Sequence, residues 1–431
     1  MRILFIAHHF PPYNTIGALR CGKTARWLLN LGQDIRVITA KNQPLPKTLP
    51  LEIPNDRVYY CATVNLSRPA EIIMGGRQRL SVAGFEPAGP WRSITKRLKP
   101  VYTNCCHVPD PQVGWVPFAI KTSIQVARNW KPDLILASAT PFSGLLVAHI
   151  VSKVVKVPWV AEFRDLWCDN PYYPYSGLRK MIDRQIEKAV LRSVSGCITV
   201  SEPLAATLRH LSNVPVTVVP NAIDDDVWPN VVSHTGQSDV LRIVHTGTLI
   251  RGKRDPRILF EAVKRLDAEG TISRVEFYGR NLQSSEHLAR ELQVEHLVLF
   301  STFVSYEESL RLQRGADVLL LLLWDDPREQ GTTTGKLFEY LGARRPILMI
   351  GPRTSAAAAI IQSREVGVVC NSTEEVYDNV SKWASEKRCK GQIEDLDKSR
   401  TLGMSRRDSI AKLLNYIEHI GYATRSTLAS Q

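Results

Sequence analysis

Glu329-Gln-Gly-Thr-Thr-Thr-Gly335-Lys336-Leu-Phe-Glu339-Tyr-Leu-Gly-Ala-Arg-Arg-Pro346-Ile347 is the stretch on which the reading of this chain turns. A small, hydroxyl-rich loop, Gly331 to Gly335, runs into a helical pattern that carries Lys336 and Glu339 on one face. An apolar run, Asp317 to Leu323, precedes it, and another, Pro346 to Ile350, follows. Strand, loop, helix and strand in that order form one βαβ unit of a parallel sheet. Amides at a helix N-terminus lack intrahelical partners and sit at the positive end of the dipole, so they favour a phosphate. A glutamate one turn in can accept two hydrogen bonds from a ribose diol. The segment has the parts of a sugar-nucleotide site, and a helix with a surface Lys336–Glu339 pair is the plain alternative.

The same rhythm runs along nearly the whole chain. Strand candidates in the first half are Arg2–Ala7, Asp34–Thr39, Arg57–Ala62, Asp133–Ala137, Pro158–Phe163, Cys197–Val200 and Val216–Val219. In the second half they are Leu241–Thr246, Arg274–Tyr278, Leu297–Phe300, Asp317–Leu323, Pro346–Ile350 and Val366–Cys370. Several are continuous Val/Ile/Leu runs, which suits strands buried on both faces of a parallel sheet. The fold class expected is α/β, with two doubly wound Rossmann-like domains facing an interdomain cleft. Residues 1–230 are expected to form the first domain and 240–402 the second, joined by a polar linker at Val231–Asp239; the family resemblance given below makes the first the acceptor-side domain and the second the nucleotide-sugar-binding one. Residues 403–431 add a C-terminal helix, about Ser405 to Ile420, which packs back toward the first domain. Gly421 is expected to end that helix and to begin a frayed tail.

Composition narrows the class. The chain has 431 residues, 44% hydrophobic and 23% charged, which is ordinary for a soluble globular protein of two domains. The eight cysteines are scattered without a Cys-x-x-Cys pair, so they read as reduced core residues of a cytosolic protein. No targeting segment and no apolar run of membrane-spanning length is visible. A formal charge of +13 implies an anionic partner. Leu66 to Cys106 breaks the rhythm, with seven basic and two acidic residues among large apolar ones. Such an insert suits an anionic membrane surface, or an ordinary solvated loop with apolar anchors.

Three further loops carry candidate chemistry. Gly247-Thr-Leu-Ile-Arg251-Gly-Lys253-Arg254-Asp255-Pro256 puts three cations at a strand's carboxyl end, where they can grip a diphosphate. Pro11-Pro-Tyr-Asn-Thr-Ile-Gly17-Ala-Leu-Arg20 offers a second loop-to-helix anion site. Glu162-Phe-Arg164-Asp165-Leu-Trp167 sets charges at another strand end, either for acceptor groups or as an internal Arg164–Asp165 or Glu162–Arg164 pair. His8 and His9 end the first strand. Asp224–Asp226 and Asp325–Asp326 are possible cation ligands but lack a partner cluster, so no metal site is expected.

Taken in order, these pieces resemble the retaining glycosyltransferases of family 4, which have the GT-B fold. The resemblance spans nearly the whole chain. Phe10-Pro-Pro through Gly17-Ala-Leu-Arg20 is similar to the family's N-terminal glycine loop. Val200-Ser-Glu-Pro-Leu and Val219-Pro-Asn-Ala-Ile-Asp224 are similar to its stretches before the linker, and Gly247 to Asp255 to its diphosphate-gripping loop. Lys336-Leu-Phe-Glu339 through Pro346 resembles its helix with the ribose-binding glutamate. Glu162 to Trp167 and Pro109-Asp110 with Gly114-Trp115 resemble a branch that makes bacterial surface polysaccharides, amino-sugar transferases included. The chain departs from the pattern in three places. Gly331 stands where a first glutamate is frequent, with Glu329 nearby as a substitute, Ser138-Ala-Thr140 stands where a histidine is common, and the N-terminal loop has one glycine for two.

The resemblance implies a metal-independent transferase without cofactor, moving a hexose or N-acetylamino sugar from a nucleotide-diphosphate sugar with retention. Its acceptor would be a glycan or a lipid-diphosphate-linked sugar, and the protein cytoplasmic, peripheral on the inner face of the membrane. Lys253, Arg254 and Gly17 are the candidate catalytic groups. Glu339, Lys336, Thr333, Thr334, Gly335, Gly247 and Arg251 are the donor-binding candidates. Arg20, His9, Arg164 and Asp165 are those for the acceptor side. A GT-B-fold sugar-nucleotide epimerase is the rival enzyme, and a basic nucleic-acid-binding protein the rival of another class, though no reading motif for nucleic acid is present.

Overall fold

A computed structural model describes residues 1–64, 104–228, 239–271, 273–302 and 304–429. The chain divides into two compact units, Met1–Pro220 with Ser409–Gln431, and Asn221–Asp408. The polar linker lies outside the described residues except for Asp239, as does the basic insert except for residues 104–106.

The first unit is built on seven strands: β1 Arg2–Ile6, β2 Asp34–Ala40, β3 Val58–Cys61, β4 Leu134–Ala139, β5 Trp159–Phe163, β6 Gly196–Thr199 and β7 Val216–Val218. They lie in the order β3-β2-β1-β4-β5-β6-β7, with every neighbour parallel. Its helices are α1 Ile16–Asn30, α2 Val116–Trp130, α3 Ser143–Val155, α4 Gly177–Leu191 and α5 Glu202–Leu211. The second unit has β8 Leu241–Thr248, β9 Ser273–Arg280, β10 Val298–Ser301, β11 Val318–Leu322, β12 Ile347–Ile350 and β13 Gly367–Cys370. Their order is β10-β9-β8-β11-β12-β13, again all parallel. Between them run α6 Arg257–Ala268, α7 Gln283–Glu291, α8 Tyr306–Arg314, α9 Gly335–Ala343 and α10 Ala356–Ser363, with α11 Thr373–Lys390 after β13. Both units are doubly wound and Rossmann-like. All thirteen apolar runs singled out in the sequence are strands, with ends moved by one or two residues.

Parallel strands need helical crossovers, so both faces of each sheet are covered and the central strands are buried on both sides. β4, β5, β11 and β12 are buried at every position. In each unit the strand order reverses once, between β1 and β4 and between β8 and β11. Crossovers on either side of such a reversal leave on opposite faces, which opens a crevice at the strands' carboxyl ends.

The last helix, α12 Arg406–Ala429, closes the first unit's core. Ile410, Leu413, Ile417 and Ile420 share a hydrophobic cluster with Ile3, Phe5, Cys21 and Leu28. Tyr416 donates its hydroxyl proton to the Pro215 carbonyl at 2.6 Å. The expectation that Gly421 ends this helix is wrong. Gly421 is buried, and a Cβ there would lie 2.9 Å from Met1 Cε. The helix gains close approach to the start of β1, and that packing outweighs the roughly 1 kcal/mol helix penalty of a glycine. Ile417→Ala should therefore destabilise the first unit by about 2–4 kcal/mol. Chemical denaturation, followed by hydrogen exchange of the β1 amides, measures it.

Candidate functional site

In the second unit, the crevice is made by the ends of β8 and β11 and by the start of α9. β8 runs out through His245, Thr246 and Gly247. Gly247 has φ +153°, a conformation that favours glycine, and a Cβ on it would sit 3.5 Å from His245 Nε2 and 3.9 Å from Lys336 Cε. Its partner across the ladder is Gly279, where a Cβ would lie 1.7 Å from the Gly247 carbonyl oxygen. Two strands thus meet backbone to backbone at the point where β8 turns into its loop. The sequence reading singled out Gly247 and passed over Gly279.

α9 starts at Gly335 with Thr334 as N-cap, and no side chain caps it. The Thr333 and Thr334 hydroxyl oxygens are shut off from solvent and have no protein partner among the described residues. A helix start without a side-chain cap leaves its first amides as donors for an anion. One turn in, Lys336 Nζ donates to Glu339 Oε2 at 2.8 Å, and Gln313 Nε2 donates to the same oxygen at 2.9 Å. Gln313, on α8 and fully buried, also donates to Thr246 Oγ1 at 2.9 Å. Glu339 is therefore held in place by donors on one oxygen, and Oε1 takes part in neither bond.

The loop after β8 folds as a turn in which the Lys253 and Arg254 amides both donate to the Ile250 carbonyl at 3.0 Å. Lys253 Nζ lies 4.1 Å from the centroid of the Trp324 ring, and the Arg328 guanidinium lies 4.7 Å from it. Trp324 follows β11, so a cation–π contact ties the two loops at the crevice. Arg254 Nη1 donates to the Thr248 carbonyl at 3.2 Å, whereas Arg251 is exposed on the turn. Glu329 is fully buried, and neither of its carboxylate oxygens has a protein partner among the described residues.

His245 is the buried titratable group of this crevice. Its Nδ1 is 2.9 Å from the Leu320 carbonyl, so Nδ1 carries the proton and Nε2 the lone pair. Burial pushes its pKa down to about 4, opposed by the Leu320 carbonyl and reinforced by the charges of Arg254 and Lys336. His245, Gln313 and Trp324 were not singled out in the sequence. Each acts through a partner at least 26 positions away in the chain, although Trp324 also meets nearby Arg328 and Gln313 also donates to nearby Ser309.

In the first unit, Arg20 is buried and pairs with Glu162 at 2.7 Å, donating also to the carbonyls of Val219 and Pro220. This pair replaces the Glu162–Arg164 pairing weighed in the sequence. Arg164 donates from Nε to the Ala139 carbonyl at 2.9 Å and from Nη2 to that of Thr140. A Cβ at Gly17 would lie 2.5 Å from Arg164 Nη1, so the glycine makes room for that guanidinium. Asp165 is exposed. His9 lines a cleft of about 270 Å³ with Thr140, Phe142 and Trp167 among its walls. The aspartate runs meet arginines: Asp224 approaches Arg406 at 3.8 Å, and Asp326 binds Arg328 at 2.8 Å. Among the described residues, no three His, Cys, Asp or Glu side chains gather as they would around a metal ion. Five of the eight cysteines are buried, while Cys105 and Cys389 are exposed, contrary to a wholly core assignment. No helix among the described residues is long and apolar enough to cross a membrane.

Residues 77–227 match the model of Glycosyltransferase Family 4. Among solved structures, the chain is similar to a glycosyltransferase from Rickettsia africae, at 12% identity and a TM-score of 0.62, with 97% of this chain and 98% of that one covered. It is similar to sucrose-phosphate synthase from Thermosynechococcus elongatus at 14% identity and a TM-score of 0.58, with both chains fully covered. A third likeness, 14% identical with a TM-score of 0.57 and full coverage of both chains, is to HepE from Anabaena in complex with UDP-glucose. No curated protein matches the chain in sequence. The fold is GT-B, and the family match together with this fold supports a glycosyltransferase of the family 4 kind.

His245 gives the crevice a pH signature. The unfolded chain binds its proton at the ordinary value of about 6.5, whereas the folded chain binds it only near 4. Between those values the unfolded state holds more protons, so stability falls as pH drops from about 6.5 to about 4. Hydrogen exchange of the β8 and β11 amides across that window should show the fall, and His245→Asn should flatten it.

Proposed function

We propose that the chain transfers a sugar from a nucleotide-diphosphate sugar to a glycan or lipid-linked acceptor, with retention and without a metal. The observation that carries this reading is the start of α9, without a side-chain cap, beside a pre-oriented Glu339 and a Gly247 backbone that brings the β8 loop against Lys336. Diphosphate oxygens match the open amides. A ribose diol matches the Glu339 carboxylate. The UDP-glucose in the HepE structure supports a donor of this class on this fold.

Lys253 and Arg254 stabilise the leaving group in this reading. The bond from the anomeric carbon to the diphosphate oxygen breaks, the acceptor oxygen bonds to that carbon on the same face, and the acceptor's proton passes to the leaving diphosphate. Charge grows on the diphosphate as the bond stretches, so fixed cations lower the barrier more than they tighten the ground state. A role in surface-polysaccharide synthesis follows from the family branch that the sequence resembles. Reversible attachment to an anionic membrane surface follows from the basic insert and the charge of +13.

Thermal shift with a panel of nucleotide diphosphates and their sugars tests the donor, because a ligand of the native state raises the melting point. Glu339→Ala should weaken donor binding by about 2–3 kcal/mol, roughly 30- to 150-fold, as a charged hydrogen-bonding site is lost. Lys253→Ala should lower kcat by about 100-fold while changing donor affinity less. Activity should survive a chelator. Conversion of donor in the absence of any acceptor would instead favour an epimerase.

A further inference from the structure

Glu339 rests on a buried polar layer. Of the three buried residues of α8, Leu310 is apolar, whereas Ser309 and Gln313 are polar. Gln313 is fully shut off from solvent. Its Nε2 lies 2.9 Å from Thr246 Oγ1, 3.0 Å from Ser309 Oγ and 2.9 Å from Glu339 Oε2, so two amide protons face three acceptors. Its Oε1 has no hydrogen-bond partner among the described residues.

Glu339 sets this lopsided arrangement. Turning the amide over would let Oε1 accept from the Thr246 and Ser309 hydroxyls, both of which can donate. It would also put an oxygen 2.9 Å from the Glu339 carboxylate, which repels it. Nε2 therefore faces Glu339, and a buried acceptor is left unmatched to keep it there. Such an acceptor weakens the fold. An apolar side chain of the same length would avoid that loss, so packing alone does not account for a glutamine at this position. Lys336 is the other donor to Glu339 Oε2, at 2.8 Å. Its Cε lies 3.9 Å from where a Gly247 Cβ would stand, so its ammonium reaches any phosphate on that backbone. A bound diphosphate draws Lys336 away from Glu339. Of the two donors, Gln313 then holds the carboxylate.

We propose that Gln313 is a positioning residue: it holds Oε2 so that Glu339 turns Oε1 to the ribose hydroxyls, and the site's discrimination of ribose from 2′-deoxyribose depends on it. The ribose contact of Glu339 rests on the transferase reading above, and the assignment of Gln313 goes beyond that reading. A carboxylate free to turn about its side-chain torsions keeps its charge but loses its direction, and a hydrogen bond depends on direction. The effect of losing Gln313 therefore falls on the hydroxyl contact. The phosphates, held by the α9 amides and the cations of the β8 loop, do not sense it.

Calorimetric titration of the full-length chain tests it with UDP and 2′-deoxy-UDP, and with GDP and 2′-deoxy-GDP as a second pair. Wild type should bind the ribonucleotide of at least one pair about tenfold or more tightly, since a hydrogen bond to a charged group is lost with the hydroxyl. Gln313→Met, close in length and without a donor, should bring that ratio below about threefold, while the 2′-deoxy ligand binds as it does to wild type. Its melting point should hold within about 2 °C of wild type or rise, because the unmatched acceptor goes with the donor. Gln313→Asn, whose shorter amide stays polar but falls short of Glu339, should lose the ratio too and serves if Gln313→Met does not fold. Variants that keep the full ratio, or that weaken both ligands of the pair alike, overturn the proposal and leave the donor reading standing. Wild type that binds no nucleotide of either pair, or that binds both members of each pair equally, overturns the ribose contact of Glu339 and the proposal with it, and that result is seen without any variant.

Discussion

A single reversal of strand order in each sheet is the constraint from which the rest follows. Parallel strands put all their carboxyl ends on one edge. A reversal sends neighbouring crossovers to opposite faces, and a crevice must open between them. In the second unit that crevice lies between β8 and β11, and in the first between β1 and β4. The groups with unusual environments collect there: His245, Gly247, Thr333 and Glu329 in one unit, His9, Thr140 and Trp167 in the other. Neither crevice depends on a particular side chain for its existence, so side chains at both are free to serve chemistry.

The two crevices are furnished differently. The second unit's has a helix start without a side-chain cap, a lysine and an arginine on the turn after β8, and a carboxylate held by two donors. Those are parts for a charged ligand with a polar sugar attached. The first unit's crevice has aromatic walls and, among the described residues, no lysine or arginine in its lining, and Arg20 and Arg164 are turned to structural bonds. Arg20 and Glu162 are both buried, and removing either alone would strand a charge at a cost of about 3–5 kcal/mol. Their pairing joins α1, β5 and the segment after β7, which is a sufficient reason for their presence without any ligand.

The fold was legible because strands buried on both faces must be apolar throughout, and runs such as Val318–Leu322 need no partner to be recognised. The loop-to-helix start at Gly335 was legible for a related reason: its parts are consecutive in the chain. What was not legible depends on distant contacts. Gln313 orients Glu339 from another helix, Trp324 receives Lys253 from another loop, and Gly279 matters only because the Gly247 carbonyl occupies the space of its missing side chain. The aromatic cleft escaped notice because Phe142, Trp167 and Tyr172 come from two separate loops and show no period. Gly421 misled because local propensity marks a helix end, whereas packing against Met1 carries the helix past it.

The central claim is that a nucleoside diphosphate sits on the start of α9. Selective isotope labelling of the glycine and lysine backbone amides, with UDP added in steps, tests it most directly. The amides of Gly335 and Lys336 should shift in parallel with binding, because they are the donors left open at that helix start. UDP that binds while those two amides stay unmoved would contradict it.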